Sequence, residues 1–378
     1  MLKVFVCDGD SKAALAITRS LGQKGVHVIV GTHMITGRAL FSKYCNEIVH
    51  YPDPHDEFKL INFMLDYLSK NKIDVLIPVS YMTCRFFSKY KHIFKNTEIP
   101  VADWDSMKLA SDKRSTMEIA DMCEVPRPET GDYLNFPLVV KSNTESKFLK
   151  YVNTKEEYDK IDMSGNTAYE YIPGFGYGYV ALYDHGKLVV DFMHVRLREY
   201  PITGGPSTFA KSVYYPELKQ YGEKIFSSLN WHGVGMCEFK LDSRDQTFKL
   251  IEINPKFWGS IDLPMVCGVD FPYQLLKLTH PEIPNTPLKY QAHSKMFRWI
   301  FPSDILCLLA NPSIFMVWLD DLFVYKICRF SLDRSDWKPE LFNVLMTPYA
   351  IIQAIKNGLK YPHGVTQKSP QPLSSENA

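Results

Sequence analysis

The chain carries almost no net charge: 43 lysines and arginines stand against 42 aspartates and glutamates. No field of one sign is available to attract nucleic acid or an anionic surface, so a polyanion partner is not expected. None of the eight cysteines (Cys7, Cys45, Cys84, Cys123, Cys237, Cys267, Cys307 and Cys328) belongs to a C-x-x-C pair. Several lie in apolar runs, where a thiol acts as a small hydrophobe, and a reducing cytoplasm fits best. The turn after the first strand, Cys7-Asp8-Gly9-Asp10-Ser11, lacks G-x-G-x-x-G, which disfavours a nicotinamide dehydrogenase. G-x-S-x-G, H-E-x-x-H and internal repeats are missing too. The most apolar tract, 305–319, is broken by Asn311-Pro312 and bounded by Asp304, Asp320 and Asp321, too short for a bilayer. MLKVFVCDGD enters a strand-like run at once, without the basic and apolar regions of a secretion signal. A soluble or at most peripheral protein is expected.

What is present is a length of 378 residues, 46% of them hydrophobic, which suggests two or three domains. Residues 1–104 alternate β-branched runs (LKVFV, VHVIV, DVLIPVS) with helical patterns, as in a doubly wound α/β unit. Ser11 there either caps the following helix or touches substrate. A helix is expected over 105–123, and Pro126, Pro128 and Gly131 then break the chain before the strand FPLVVK. A polar segment over 142–166 with a helical KEEYDKI patch leads to the strand AYEYI and the turn Pro173-Gly174. YVALYD and KLVVDFMHV flank His185-Gly186 and predict a tight antiparallel hairpin. The loop 196–207, a helix over 216–229, a second hairpin, and helical patterns beyond Gly268 complete an α/β and α+β chain. The tail, 367–378, is polar and expected to be disordered.

The second hairpin, VGMCEFKLD and TFKLIEIN, carries Glu238, Glu252 and Asn254. Side chains two apart share a face, so Glu252 and Asn254 project together. Glu238 joins them if an odd number of residues closes the connection and turns away if the number is even. Two facing carboxylates repel, so the pairing makes sense around a cation such as Mg²⁺. Lys141 ends an apolar strand, where its ammonium either meets phosphates or is simply solvated. Arg196 and Arg198 alternate before Gly204-Gly205-Pro206 and suit phosphate or carboxylate, with a structural salt bridge as the alternative for one of them.

In this order, Asp112-Lys113, Lys141, Glu170-Tyr171-Ile172-Pro173-Gly174, Glu238 and Glu252-Ile253-Asn254-Pro255-Lys256 with Trp258-Gly259-Ser260 resemble the ATP-grasp superfamily. The resemblance is to its carbamoyl-phosphate-synthase-like carboxylate–amine ligases and covers residues 4–278. It implies an N-terminal Rossmann-like (pre-ATP-grasp) domain over 1–104 and a two-lobed ATP-grasp domain over 105–290, with a small lid lobe near 125–170. A helical, aromatic-rich C-terminal region over 291–366 follows, beyond the resemblance; packing against the body is its ordinary role, and a membrane or partner surface the alternative. Lys113 and Lys141 would meet ATP phosphates, and Glu170, Tyr171 and Ile172 the adenine edge. Glu238, Glu252 and Asn254 would hold Mg²⁺, or Mn²⁺ in its place. Arg196, Arg198 and Lys256 would serve the transferred phosphoryl group or the acceptor.

Three positions depart from the family pattern. Lys256 replaces the usual arginine and loses its bidentate fork. Residues 142–147 lack the glycines of the phosphate loop, and Gly176-Tyr177-Gly178 stands where an acidic ribose contact is common. The implied reaction joins a small-molecule carboxylate, activated as an acyl phosphate, to an amine, with segment 142–165 closing as a lid. The alternatives are an ATP-binding scaffold without turnover and a bicarbonate-using carboxylase, for which no biotinyl attachment motif is present.

Overall fold

A computed structural model describes residues 1–131, 135–143, 148–202, 204–284, 295–323, 328–331 and 333–359. Four short strands, β1 (Lys3–Val6), β2 (His27–Thr32), β3 (Glu47–His50) and β4 (Val75–Ile77), form a parallel sheet in the order β3-β2-β1-β4. The crossovers contain α1 (Lys12–Gly22) and α2 (Glu57–Asn71), and α3 (Tyr81–Tyr90) follows β4. Ser11 caps α1, its Oγ accepting from the Ala14 N–H at 3.0 Å. Alternation along β1 sends Phe5 and Cys7 to one core and Val4 and Val6 to another. Each core is continuous with one face of a larger sheet, through Tyr179 and Phe239 in the first and Val180 and Phe192 in the second. The N-terminal sheet and the larger sheet are thereby packed together through two shared cores.

The helix expected over 105–123 is two: α4 (Trp104–Ser111) and α5 (Lys113–Met122). Asp112 between them is extended (φ −91°, ψ 125°) and turns its carboxylate onto the Ser115 N–H at 2.8 Å, starting the second helix as a cap. Next come β5 (Leu138–Ser142), β6 (Leu149–Val152), α6 (Lys155–Tyr158) and β7 (Asn166–Glu170), with the strands in the order β6-β5-β7. Their core of Leu138, Val140, Val152 and Ala168 is separate from the other two, so this lobe is a small unit of its own. The polar stretch expected as a loose lid is largely this folded strand and helix, and its residues 144–147, including the glycine-poor part of the phosphate loop, lie outside the described residues.

The main sheet runs β12-β11-β8-β9-β10-β13-β14. Its strands are β8 (Gly176–Asp184), β9 (Lys187–Glu199), β10 (Ser207–Val213), β11 (Gly233–Leu241), β12 (Phe248–Asn254), β13 (Met296–Arg298) and β14 (Cys328–Phe330). His185 and Gly186 both take positive φ (44° and 77°), the two-residue turn that suits the twist of paired strands. Helices α7 (Pro216–Ser228), α8 (Asp262–Val266) and α9 (Phe271–Thr279) cover the sheet. The C-terminal region is not purely helical: β13 and β14 extend the sheet beside α10 (Ile305–Ala310), α11 (Phe315–Asp320) and α12 (Lys338–Lys356). The tail 367–378 lies outside the described residues.

Candidate active site

Six residues, 242–247, connect β11 to β12 after the pair Leu241↔Phe248. By parity alone that even number turns Glu238 away from Glu252. A β-bulge between the pairs Phe239↔Leu250 and Glu238↔Glu252 absorbs Ile251 as an extra residue and resets the phase. Glu238 therefore lies directly opposite Glu252, and Met236 opposite Asn254, while Phe239, Leu250 and Ile253 remain in the core. Asn254 Nδ2 donates to Glu252 Oε1 at 2.8 Å.

Two cations offset the facing carboxylates. Arg196 grips Glu238 with both terminal nitrogens, Nη1 to Oε1 at 2.6 Å and Nη2 to Oε2. Lys141 reaches the cleft from β5; burial depresses its ammonium pKa, helped by Lys113 and opposed by Glu252 and Glu238. Burial pushes Glu252 the other way, but Lys141, the Asn254 amide, Lys113 and Arg196 together hold it below the usual carboxylate range. Lys113 itself donates to the Ser142 carbonyl at 3.2 Å, bracing the end of β5 beside Lys141 rather than lining the cleft.

Arg198 takes the structural salt-bridge alternative left open from the sequence. The register of β9 against β10 slips so that Arg196 opposes Ala210 and Arg198 opposes Phe209, consecutive residues that project to opposite faces. Arg198 is 5% exposed; Nε donates to Asp304 at 3.0 Å, Nη1 to Asp321, and the guanidinium lies over the Phe209 ring. Arg198 still borders the cavity, but its charge is committed to these aspartates, so Arg196 is the arginine that faces the carboxylates of the hairpin.

Glu170 departs from expectation: Arg244 and the Glu129 N–H hold its carboxylate, so that group is not free for an adenine edge. The Ile172 carbonyl accepts from Lys240 Nζ at 2.9 Å, and Lys240 also lies over the Tyr171 ring. The backbone N–H groups of Tyr171 and Ile172, on the cleft wall, meet no acceptor among the described residues. Gly174, at φ +141°, is required there, since a Cβ would sit 1.9 Å from the Leu241 carbonyl oxygen. The glycines standing in place of a ribose contact also have a packing reason: a Cβ on Gly178 would strike His194 at 2.3 Å, and one on Gly176 would press on Arg196.

Lys256 lines the same cleft, and its ammonium has no partner among the described residues. Three charged residues there were not singled out from sequence. Lys240 follows Glu238 by two, so period-2 counting places it on the cleft face. Glu199, beside Arg196 at 3.7 Å, is pushed up to about 7, chiefly by burial and against the pull of Arg196 and Lys240. Its signal was its place at the end of the R-L-R-E run, directly before the Gly-Gly loop. Lys12, on the first turn of α1, is lowered to about 8 by burial and the nearby Arg38, and lines the cleft from the N-terminal sheet.

The cavity enclosed by these groups measures about 1080 Å³, roomy enough for a nucleotide and an acceptor. Arg196 Nε and Trp258 Nε1, both on its wall, are buried donors without an acceptor. A donor set of two carboxylates and an amide oxygen fits Mg²⁺, a hard cation that takes few protein ligands and completes its shell with phosphate and water.

A small lobe facing a carboxylate-bearing floor across a hinge defines a two-lobed clasp. No protein-family profile and no curated protein matches the chain. Among solved structures it is similar to a biotin carboxylase–βγ-ATP complex from Campylobacter jejuni (TM-score 0.62, 15% identity, 78% of this chain and 74% of that one). It is also similar to an L-amino acid ligase from Bacillus licheniformis (TM-score 0.60, 16% identity, 78% of both chains). A third is the biotin carboxylase domain of Hydrogenobacter thermophilus 2-oxoglutarate carboxylase with MgADP and bicarbonate (TM-score 0.60, 15% identity, 78% and 73%). The chain has the ATP-grasp fold.

Proposed function

We propose that this protein is an ATP- and Mg²⁺-dependent ligase that activates a carboxylate as an acyl phosphate and joins it to an amine, releasing ADP and phosphate. The observation that carries this reading is the bulged register that sets Glu238 opposite Glu252, with Asn254 alongside and Lys141 and Arg196 over them. Neighbours in the same fold include an L-amino acid ligase and carboxylases crystallised with MgADP or an ATP complex.

On this reading Glu238, Glu252 and Asn254 hold magnesium, which when bound neutralises charge between phosphate oxygens. The N–H groups of Tyr171 and Ile172 read the adenine edge. Lys141 and Lys256 would present ammonium groups to phosphate, and the Arg196 fork, paired here with Glu238, would serve the transferred phosphoryl group or the acceptor carboxylate. Glu199 stands in the cleft with a proton affinity close to neutrality and accepts the proton the amine loses on attack. The work of such a site is positioning and charge neutralisation, and it needs no nucleophilic side chain.

The bidentate Arg196–Glu238 pair also suits a second reading, a nucleotide-binding scaffold in which the pair never opens. ADP release measured across a panel of amino acids and carboxylates separates the two. Turnover on some pair, reduced about hundredfold or more in Glu252→Gln, is expected; Mg²⁺-dependent nucleotide binding with no release on any pair would favour the scaffold.

A further inference from the structure

Helix α12 is built inside out. Its buried side is polar: Glu340 accepts from Arg19 Nη1 at 3.3 Å and from Asn343 Nδ2 at 3.1 Å, and Thr347 donates to the Asn343 carbonyl at 2.8 Å. Its outward side carries Leu341, Val344, Leu345, Tyr349, Ile352 and Ile355, exposed from 40% at Val344 to 67% at Leu345. These positions recur mostly every three or four residues and form one stripe along about four turns. A stripe of this kind ordinarily faces a core; here it faces out.

The charges on the helix say what covers it. Glu340 is its one carboxylate and is buried against Arg19, so the exposed surface of α12 shows none. Its exposed charges are Lys338 at the first residue and Lys356 at the last, with Trp337, 54% exposed, just ahead. The chain as a whole is nearly neutral, so the attraction is local: lysines at both ends of an apolar stripe, with Trp337 just ahead of it and Tyr349 within it, match a helix lying at the headgroup level of an anionic bilayer, where lysine stems snorkel, aromatic rings sit at the interface and apolar side chains enter the acyl boundary. A protein partner would ordinarily meet a polar rim of both signs.

A second C-terminal element is also apolar and exposed. The apolar segments Ile300–Ala310 and Pro312–Asp320, which contain α10 and α11, meet at a 110° bend, and among the described residues no single helix is long and apolar enough to cross a membrane. Leu309, Phe315 and Met316 of this pair are exposed at 41%, 51% and 65%. The same bend contributes Cys307, Asn311, Ser313, Ile314 and Val317 to the wall of the cleft. The bend therefore carries exposed apolar side chains on the same short segment that supplies part of the cleft wall.

We propose that the outward face of α12, together with the α10–α11 bend, docks the protein on an anionic phospholipid surface, which places the cleft to receive an acceptor carried on a lipid. Lipid docking is independent of turnover, so it is tested apart from the ligase reading. The full chain is co-sedimented with phosphatidylcholine vesicles with and without phosphatidylglycerol, beside a Leu345→Glu/Ile352→Glu variant whose fold is checked by its melting curve. Binding that requires phosphatidylglycerol, weakens with salt and falls about tenfold or more in the variant is expected. Absence of sedimentation with either vesicle, or equal binding by the variant, overturns the proposal. So does a dimer in analytical ultracentrifugation that the same two substitutions convert to monomer, since a second copy would then be the occupant.

Discussion

Arg196 and Arg198 show how far two identical side chains diverge when a strand slips register. Arg198 is buried between Asp304 and Asp321, and Thr208 and Arg298 also donate to Asp304, so truncating it strands buried carboxylates. Arg198→Ala should cost about 3 kcal/mol or more in chemical denaturation. Arg196→Ala, whose partner Glu238 borders the cleft, should destabilise less than Arg198→Ala and should reduce ADP release out of proportion to that loss. Equal destabilisation by both would contradict the division of roles drawn here. Glu199 supplies the pH signature. Its folded pKa rises from 4.5 to about 7, so the folded state favours its protonated form; the stability this contributes is complete below about 4.5 and is lost as pH climbs through about 7. Glutamine mimics the protonated form at every pH. The melting temperature of Glu199→Gln relative to the parent should therefore rise between those two values and level off above them, and a flat difference would show that Arg196 and Lys240 compensate fully for burial.

Elements were legible where their patterns are local. The alternation of 1–104, the His185-Gly186 hairpin and the face shared by Glu252 and Asn254 all follow from period and turn chemistry, and the structure has each. The facing of Glu238 was not legible, because it depends on one extra residue in β12 that adds no motif. Parity counted over residues 242–247 gives the wrong face, and the bulge at Ile251 restores the right one. The helix start at Asp112 was carried by the family resemblance, in which Asp112-Lys113 opens a helix, and not by the helical pattern of 105–123, since a capping aspartate and an interior aspartate look alike until its carboxylate is seen on the Ser115 N–H. The engagement of Glu170 by Arg244 and of Arg198 by Asp304 and Asp321 joins residues 74 to 123 positions apart, and no local pattern encodes such pairs. Glu199 was passed over because a lone carboxylate after two arginines reads as their surface partner, and only burial beside Arg196 reveals its raised proton affinity.

At the scale of the molecule, the first helix holds the last. Arg19 of α1 donates from Nε to Asp336 at 2.8 Å and from Nη2 to the Asp336 carbonyl at 2.9 Å, while Nη1 reaches Glu340. Asp336 also accepts from Ser42 Oγ and the Lys43 N–H, both at 2.8 Å, and is almost wholly buried. This one aspartate thus joins α1, the loop before β3 and the start of α12, and it fixes which side of α12 faces inward. Removing it leaves Arg19 buried and short of a partner, so Asp336→Ala should destabilise by about 3 kcal/mol or more. The loss should be uneven. The small lobe and the β11–β12 floor share no contact with Asp336, so hydrogen exchange should accelerate in 338–356 while 233–254 stays protected, and Mg²⁺-dependent nucleotide binding should persist. Vesicle binding needs α12 held with its apolar side outward and should fall with the same substitution. Uniform acceleration of exchange across 1–284 would instead mean that the C-terminal helix is a structural strut for the whole body, and the separation between docking surface and cleft would have to be abandoned.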